Sequence, residues 1–104
     1  MAEIIIKGTT PTITYTFSSV EVTELTKAVM TIKADGVIKI EKDLTTADVD
    51  AQKKTVSWTL SQAETLSVTT KAEVMINWVT QDGTRGASDK TNVLFDRNHI
   101  EEVI

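Results

Sequence analysis

Apolar and polar residues alternate along several short stretches of the chain. In the stretches 13–17 and 56–60 the large side chains lie two residues apart, with threonine or serine among the residues between them. These side chains are Ile13, Tyr15, Phe17, Val56, Trp58 and Leu60. Successive residues of a β-strand point to opposite faces, so each stretch has one buried and one solvent-facing side. The pattern predicts an antiparallel sheet protein.

Turn residues separate these stretches and predict about seven strands. The predicted strands are residues 3–7, 12–17, 27–33, 37–42, 55–60, 72–80 and 86–95. Asp35-Gly36 predicts a tight hairpin between the third and fourth strands, because both residues tolerate the positive φ that such turns use. Residues 72–80 carry apolar side chains on both faces, which indicates a central strand. Residues 43–54 are polar and are predicted to be a loop.

The segment after residue 60 carries the only helical signal. Ser61 and Glu64 have the spacing of a capping box, in which each side chain accepts a backbone N–H of the other residue. The β-prone residues Val68, Thr69 and Thr70 follow, so the helix should span one or two turns. We therefore predict one domain over residues 1–104, all-β, with an antiparallel immunoglobulin-like β-sandwich of about seven strands and one short helix.

The core of this sandwich is predicted from the apolar phase of the strands. The side chains expected to pack there are Ile13, Tyr15, Phe17, Met30, Val56, Trp58, Leu60, Val74, Ile76 and Trp78. At 104 residues the chain is long enough to bury roughly two-thirds of the surface that its unfolded form exposes. It needs no disulfide or metal to hold it together.

Composition excludes several classes of function. The chain has no cysteine, which removes disulfide frameworks, thiolate metal sites and thiol nucleophiles. Its net charge of −4 and pI near 4.9 disfavour a non-specific nucleic-acid binder. No segment approaches the ~20 apolar residues of a membrane span, and no secretion signal is evident. We therefore expect a soluble chain with no nucleic-acid or membrane partner.

Candidate catalytic and metal-binding groups are few. His99 is the only histidine and stands beside Glu101 and Glu102, so a metal-dependent enzyme is one alternative, although a structural metal site usually needs three or four ligands. Asp43, Asp48 and Asp50 could hold a hard cation, but the glycine and bidentate glutamate of a calcium loop are missing. A serine nucleophile would lack a base. We expect no catalytic residue, no cofactor, no metal and no enzyme activity.

Two tryptophans and one arginine offer binding chemistry. Trp58 and Trp78 could stack on sugar rings if both were exposed, but each lies in the apolar phase of its strand, which favours core packing. Arg85 stands beside Asp82 and Gly83 and could reach a partner's carboxylate, but pairing across its own hairpin is the simpler interpretation. A carbohydrate- or host-surface-binding module is thus the alternative function.

The order of motifs along the chain carries a family resemblance. The motifs are Gly8-Thr9-Thr10-Pro11-Thr12, Leu60-Ser61-Gln62-Ala63-Glu64-Thr65-Leu66, Ile76-Asn77-Trp78, Asp82-Gly83-Thr84-Arg85 and Glu101-Glu102-Val103-Ile104. The chain resembles small proteins encoded in the structural-gene regions of phages and prophages of Firmicutes. The resemblance implies a non-enzymatic virion or virion-assembly protein of the tail, connector or baseplate region. It places the chain in the virion, or in the host cytoplasm during assembly, with other virion proteins as partners.

Such a protein would act through protein–protein contacts, and the terminal segments are the candidates. The candidate contact residues are Ile4, Ile5, Ile6, Ile100, Val103 and Ile104. Terminal apolar segments either complete their own sheet or add to the sheet of another chain, and both alternatives stay open here. The threonine-rich strands place little charge on the sheet edges, so a homo-oligomer is a further expectation.

Overall fold

The computed structural model describes residues 3–18, 20–68 and 71–98, and these residues form nine strands in two sheets. The strands are β1 (Glu3–Ile6), β2 (Thr12–Thr16), β3 (Leu25–Ala34), β4 (Val37–Asp43), β5 (Asp48–Asp50), β6 (Thr55–Thr59), β7 (Lys71–Thr80), β8 (Arg85–Ala87) and β9 (Thr91–Asp96). One α-helix, α1 (Gln62–Ser67), and two 3₁₀ turns, Val22–Glu24 and Leu44–Thr46, complete the regular structure.

The larger sheet has six strands in the order β1-β9-β7-β3-β4, with β8 also paired to β7. The predicted central position of residues 72–80 is confirmed, because β7 pairs with β3 on one side and with β8 and β9 on the other. The predicted hairpin at Asp35-Gly36 is also confirmed. Asp35 has φ 53° and Gly36 has φ 75°, and β3 and β4 pair antiparallel on either side of them.

The predicted strand 86–95 is divided into β8 and β9 by Ser88. The Ser88 N–H donates to the Ile76 carbonyl (2.8 Å), and the Ile76 N–H donates to the Ser88 hydroxyl (2.9 Å). A side-chain oxygen thus takes the place of a backbone carbonyl in the ladder. The prediction of one continuous strand was wrong here because a serine side chain can replace a backbone partner locally.

The smaller sheet consists of β2, β6 and β5, all antiparallel. Strand β5 lies within residues 43–54, which were predicted to be a loop, so that prediction was wrong for Asp48–Asp50. Asp43 caps the preceding 3₁₀ turn by accepting the Thr45 N–H (3.0 Å), and the Asp43 carbonyl accepts the Trp58 indole N–H (2.9 Å). These contacts hold the segment beside β6, where the three residues of β5 then pair although two of them are aspartates, which have low strand propensity.

One pairing is parallel. β1 lies beside β9 with Ile4 opposite Leu94 and Ile6 opposite Asp96. Because these strands come from the two ends of the chain, the local pattern of either one contains no information about their direction. An all-β fold of mainly antiparallel strands with one short helix is confirmed, whereas the immunoglobulin-like arrangement of about seven strands is not.

The hydrophobic core contains side chains from both sheets. Seven of the ten predicted core residues are buried: Phe17, Met30, Val56, Trp58, Leu60, Val74 and Ile76. The other three, Ile13, Tyr15 and Trp78, are half-buried and pack against the core. Ala28 and Ile32 of β3 are also fully buried, as the alternation in that strand predicts.

Helix α1 joins the smaller sheet to the larger one, and its predicted capping box is present. The Ser61 N–H donates to Glu64 Oε1 (2.8 Å), and the Glu64 N–H donates to Ser61 Oγ (3.1 Å). Glu64 also lies 3.1 Å from the ammonium of Lys42 on β4. Burial raises the pKa of Glu64, but the hydrogen bond from Ser61 and the Lys42 charge outweigh it and leave the pKa below its ordinary value.

Candidate functional site

The first strand is an exposed edge of the larger sheet. Ile4 and Ile6 leave 63% and 40% of their surface exposed, while Ile5 between them is half-buried and packs against the core. The candidate contact residues of the N-terminal segment are thus on a sheet edge, with two of three side chains accessible. The candidates Ile100, Val103 and Ile104 lie outside the described residues.

A turn held by the helix ends this strand. The Gly8 N–H donates to Thr65 Oγ1 (2.9 Å), and that hydroxyl donates to the Thr9 carbonyl (3.0 Å). Thr65 has no exposed surface, so its hydroxyl is one of the few buried polar groups described in the structure. Gly8 has φ 81°, a conformation that other residues rarely adopt. The helix thereby determines where β1 stops and where the chain crosses to the smaller sheet.

A groove of about 540 Å³, lined by both apolar and polar side chains, lies beside β1, between the two sheets. Ile4 and Ile5 line one wall, Ile13 and Tyr15 of β2 line the other, and Val74 is among the residues that complete it. The groove opens between two sheet edges, β1 and β2. A strand that added to either edge could place a side chain into it.

The outer face of the smaller sheet is polar. Thr12 lies opposite Thr59 with their hydroxyls 3.0 Å apart, and Thr14 lies opposite Ser57 with their hydroxyls 2.9 Å apart. These hydroxyls bond each other across the strands. Their arrangement fits the sequence interpretation of threonine as a residue of half-exposed strands.

The three candidate aspartates do not form a common site. Asp43 caps a 3₁₀ turn, and hydrogen bonds from the Thr45 hydroxyl and N–H lower its pKa. Asp50 accepts the N–H groups of Gln52 (3.1 Å) and Lys53 (3.2 Å). Within the part of the chain that the structure describes, no group of three histidine or acidic residues could hold a metal ion. His99 lies outside that part.

The two tryptophans differ in exposure. Trp58 is completely buried and cannot stack on a ligand. Trp78 is half-buried, with its ring centroid 5.6 Å from that of Tyr15 and 5.0 Å from that of Phe17. The backbone of Gly86 lies against the Trp78 indole so closely that an added Cβ would come within 2.4 Å of it. The expected core packing is therefore complete for Trp58 and partial for Trp78.

The expected pairing of Arg85 across its own hairpin is not found among the described residues. Asp82 instead accepts hydrogen bonds from the Thr80 hydroxyl and from the Thr84 N–H (3.0 Å), which lower its pKa to about 2. Arg85 is exposed and forms no ion pair with any other described residue. Short-range side-chain bonds within the turn satisfy the carboxylate before a long, flexible arginine can do so.

Sequence reasoning missed three further exposed apolar side chains among the described residues, Val49 on β5 and two neighbours on β4. Val37 and Ile38 on β4 are each more than half exposed, at 54% and 52%, although only one face of this strand was expected to be apolar. They follow directly after the Asp35-Gly36 turn, where the strand extends past the core. A signal was available, since residues next to a tight turn are commonly at the end of the sheet.

Comparison with known proteins adds no family. No protein-family model matches the chain, and a search of curated proteins finds no significant match. Among the described residues, no helix is long and apolar enough to cross a membrane.

Proposed function

We propose that this chain is a non-enzymatic structural protein of a phage or prophage particle, or of its assembly, and that it acts through protein–protein contacts. The observation that supports this most directly is the β1 edge, where Ile4 and Ile6 are exposed and a groove of mixed apolar and polar lining lies beside the strand. Sheet edges of this kind bind extended segments of other chains through backbone hydrogen bonds.

The resemblance to small proteins of phage structural-gene regions supplies the biological setting of the proposal. The motifs behind it are a helix cap and turns, so they concern the fold lineage, which we propose to be an immunoglobulin-like β-sandwich. Tail, connector and baseplate structures repeat one chain many times. In such an assembly weak contacts add together, because each bound neighbour raises the effective concentration of the next.

The alternative carbohydrate-binding module has less support. It required an exposed tryptophan platform, but Trp58 is completely buried and Trp78 is half-covered by aromatic and glycine neighbours. The metal-dependent enzyme would depend on His99, and the acidic residues that the structure describes form no ligand group.

The proposal is tested by purifying particles after induction of a host that carries the gene. Quantitative mass spectrometry of density-purified particles, and of assembly intermediates, should find this chain at a fixed ratio to the other virion proteins. Detection only in the soluble host fraction, with none in particles or intermediates, would contradict the proposal.

A further inference from the structure

We infer that β1 pairs antiparallel with β1 of a second copy, in a register centred on Ile5, so that the larger sheets of two copies join across a two-fold axis. The inference rests on the proposed function, because it names the partner of the same protein–protein contact. Four observations support it: the contrast between edges, the direction of the backbone groups, the register of charges and the exposed isoleucines.

The edge strands of the two sheets differ in how well they are protected against pairing with another chain. Sheet proteins block unwanted pairing with charged residues, proline or very short strands. Strand β4 carries three charged residues, Lys39, Glu41 and Lys42. Strands β5 and β8 are only three residues long, and β5 carries Asp48 and Asp50 while β8 begins at Arg85. Strand β2 follows directly after Pro11. β1 has one charged residue, Glu3, followed by three consecutive isoleucines. β1 and β2 are thus the least charged of the described edge strands, and β1 is the one of the two with exposed isoleucines.

Backbone groups of this strand point in the direction that pairing requires. The Lys7 N–H donates to the Asp96 carbonyl (2.9 Å), which places the backbone groups of Lys7 on the β9 side. Because the direction alternates from residue to residue, the N–H and C=O groups of Ile4 and Ile6 point away from β9. After Ile6 the chain turns back on the outer side of β1, and the Thr9 N–H and hydroxyl both donate to the Ile6 carbonyl. The proposed pairing does not use this carbonyl.

The pairing therefore depends on two symmetric hydrogen bonds. In each, the Ile6 N–H of one copy donates to the Ile4 carbonyl of the other. In the register centred on Ile5, Ile4 and Ile6 of the two copies are directly opposite as a hydrogen-bonded pair, and Ile5 faces its own counterpart. The exposed side chains of Ile4 and Ile6 then cover each other on one face of the joined sheet.

Charge selects this register and this direction. The strand and the residue after it read Glu3-Ile4-Ile5-Ile6-Lys7 in the sequence, acidic at one end and basic at the other. Antiparallel pairing centred on Ile5 places position 3 opposite position 7 at both ends, so opposite charges meet twice. Parallel pairing would align like charges. The segment is thus self-complementary, which is why a second copy is the partner that fits it.

Pairing over five residues makes a small interface. Stable complexes commonly bury about 1,600 Å² in total, which is more than a single short strand pair covers. We therefore expect a weak, concentration-dependent dimer in solution, which becomes persistent only where assembly holds the copies together.

Sedimentation equilibrium of the full chain, from micromolar to millimolar concentration, measures the association. Ile4→Lys should weaken the dimer at least tenfold, because it places a charge at the interface. Ile38→Lys, a similarly exposed isoleucine on the opposite edge β4, is the matched control and should leave the dissociation constant unchanged. Urea unfolding of both variants checks that the fold is retained. Equal loss in both variants, or loss only in the control, would overturn the inference.

Charge reversal tests the register. Lys7→Glu alone should weaken association, because two acidic residues then face each other, and Glu3→Lys alone should do the same. The double variant should restore the original dissociation constant. Failure of the double variant to recover would rule out the proposed register.

Disulfide trapping tests the contact directly, since the chain has no cysteine of its own. Copies with Ile4→Cys mixed with copies with Ile6→Cys should form a mixed disulfide, because opposite positions in a sheet lie within the Cα distance of a disulfide. Either variant alone should form far less. No cross-link in the mixture would show that another segment, from this chain or a partner, occupies the edge, and would overturn the inference.

The two proposals fail in different ways. A chain that is present in particles at a fixed ratio but stays monomeric and uncross-linked would retain the proposed function and lose the β1 dimer. A chain that is absent from particles and assembly intermediates would contradict the proposed function whatever its association in solution.

Discussion

The hydroxyl of Thr65 provides the sharpest test of how the candidate edge is held in place. It accepts the Gly8 N–H (2.9 Å), and its proton is directed to the Thr9 carbonyl (3.0 Å), with the Gln62 carbonyl at 3.2 Å. The side chain has no exposed surface. Thr65→Val keeps the shape of the side chain and removes only the hydroxyl, so it isolates the contribution of these hydrogen bonds.

The expected cost follows from the groups left without partners. Thr65→Val removes the partner of one N–H and one C=O, and each such group costs about 1–3 kcal/mol when it is fully buried. Gly8 is half-buried and Thr9 is exposed, so water compensates in part. We therefore expect a loss of ~2 kcal/mol in the free energy of unfolding, or a fall in Tm of roughly 10 °C.

Thr65→Ser is the matched control, because it keeps the hydroxyl and removes a methyl group. It should cost ~1 kcal/mol, the transfer free energy of the lost methyl and a small cavity term. The hydrogen bonds thus predict that wild type is the most stable protein, Thr65→Ser the next and Thr65→Val the least stable. An argument from hydrophobic volume alone predicts the opposite order for the two variants.

Urea unfolding measures the loss in the free energy of unfolding, and amide hydrogen exchange measures the loss of the Gly8 hydrogen bond. The Gly8 amide should lose protection in Thr65→Val and keep it in Thr65→Ser. A Thr65→Val protein as stable as Thr65→Ser, with a protected Gly8 amide, would refute the reasoning. It would show that the turn after β1 holds its position without the Thr65 hydroxyl.

Three further predictions concern the rest of the fold. Gly86→Ala should lower the free energy of unfolding by ~2 kcal/mol, because the new methyl overlaps the Trp78 indole. In a double-mutant cycle measured by urea unfolding, Trp78→Leu in the same chain should recover part of this loss. Asp82 has a folded-state pKa of about 2, below its usual 3.8, so its contribution to the free energy of unfolding is complete above pH ~4 and declines toward pH ~2. The free energy of unfolding, measured as the pH is lowered through this range, should decline less in Asp82→Asn than in wild type. Ser61→Ala should cost ~1 kcal/mol by removing the helix cap, with Glu64→Gln costing less because an amide oxygen can still accept the Ser61 N–H.

Local signals in the sequence were sufficient for the elements that depend on near neighbours. The Asp35-Gly36 hairpin and the capping box of Ser61 and Glu64 were predicted because a few adjacent residues determine their backbone geometry. The alternation of apolar side chains predicted which residues of β3 and β6 are buried, because side-chain direction in a strand has a period of two. The all-β class follows from these local patterns alone.

Pairings between distant residues needed the tertiary structure. Nothing in the sequence of β1 indicates that it lies parallel to β9, and nothing in residues 48–50 predicts a strand, because both pairings are set by packing between segments far apart in the chain. The same holds for the candidate site. Three isoleucines near the N-terminus suggested a contact segment, but only the assembled sheet decided that Ile5 faces the core and that Ile4 and Ile6 are exposed on an edge strand. Exposure depends on which strand is outermost, and that order is a property of the whole fold.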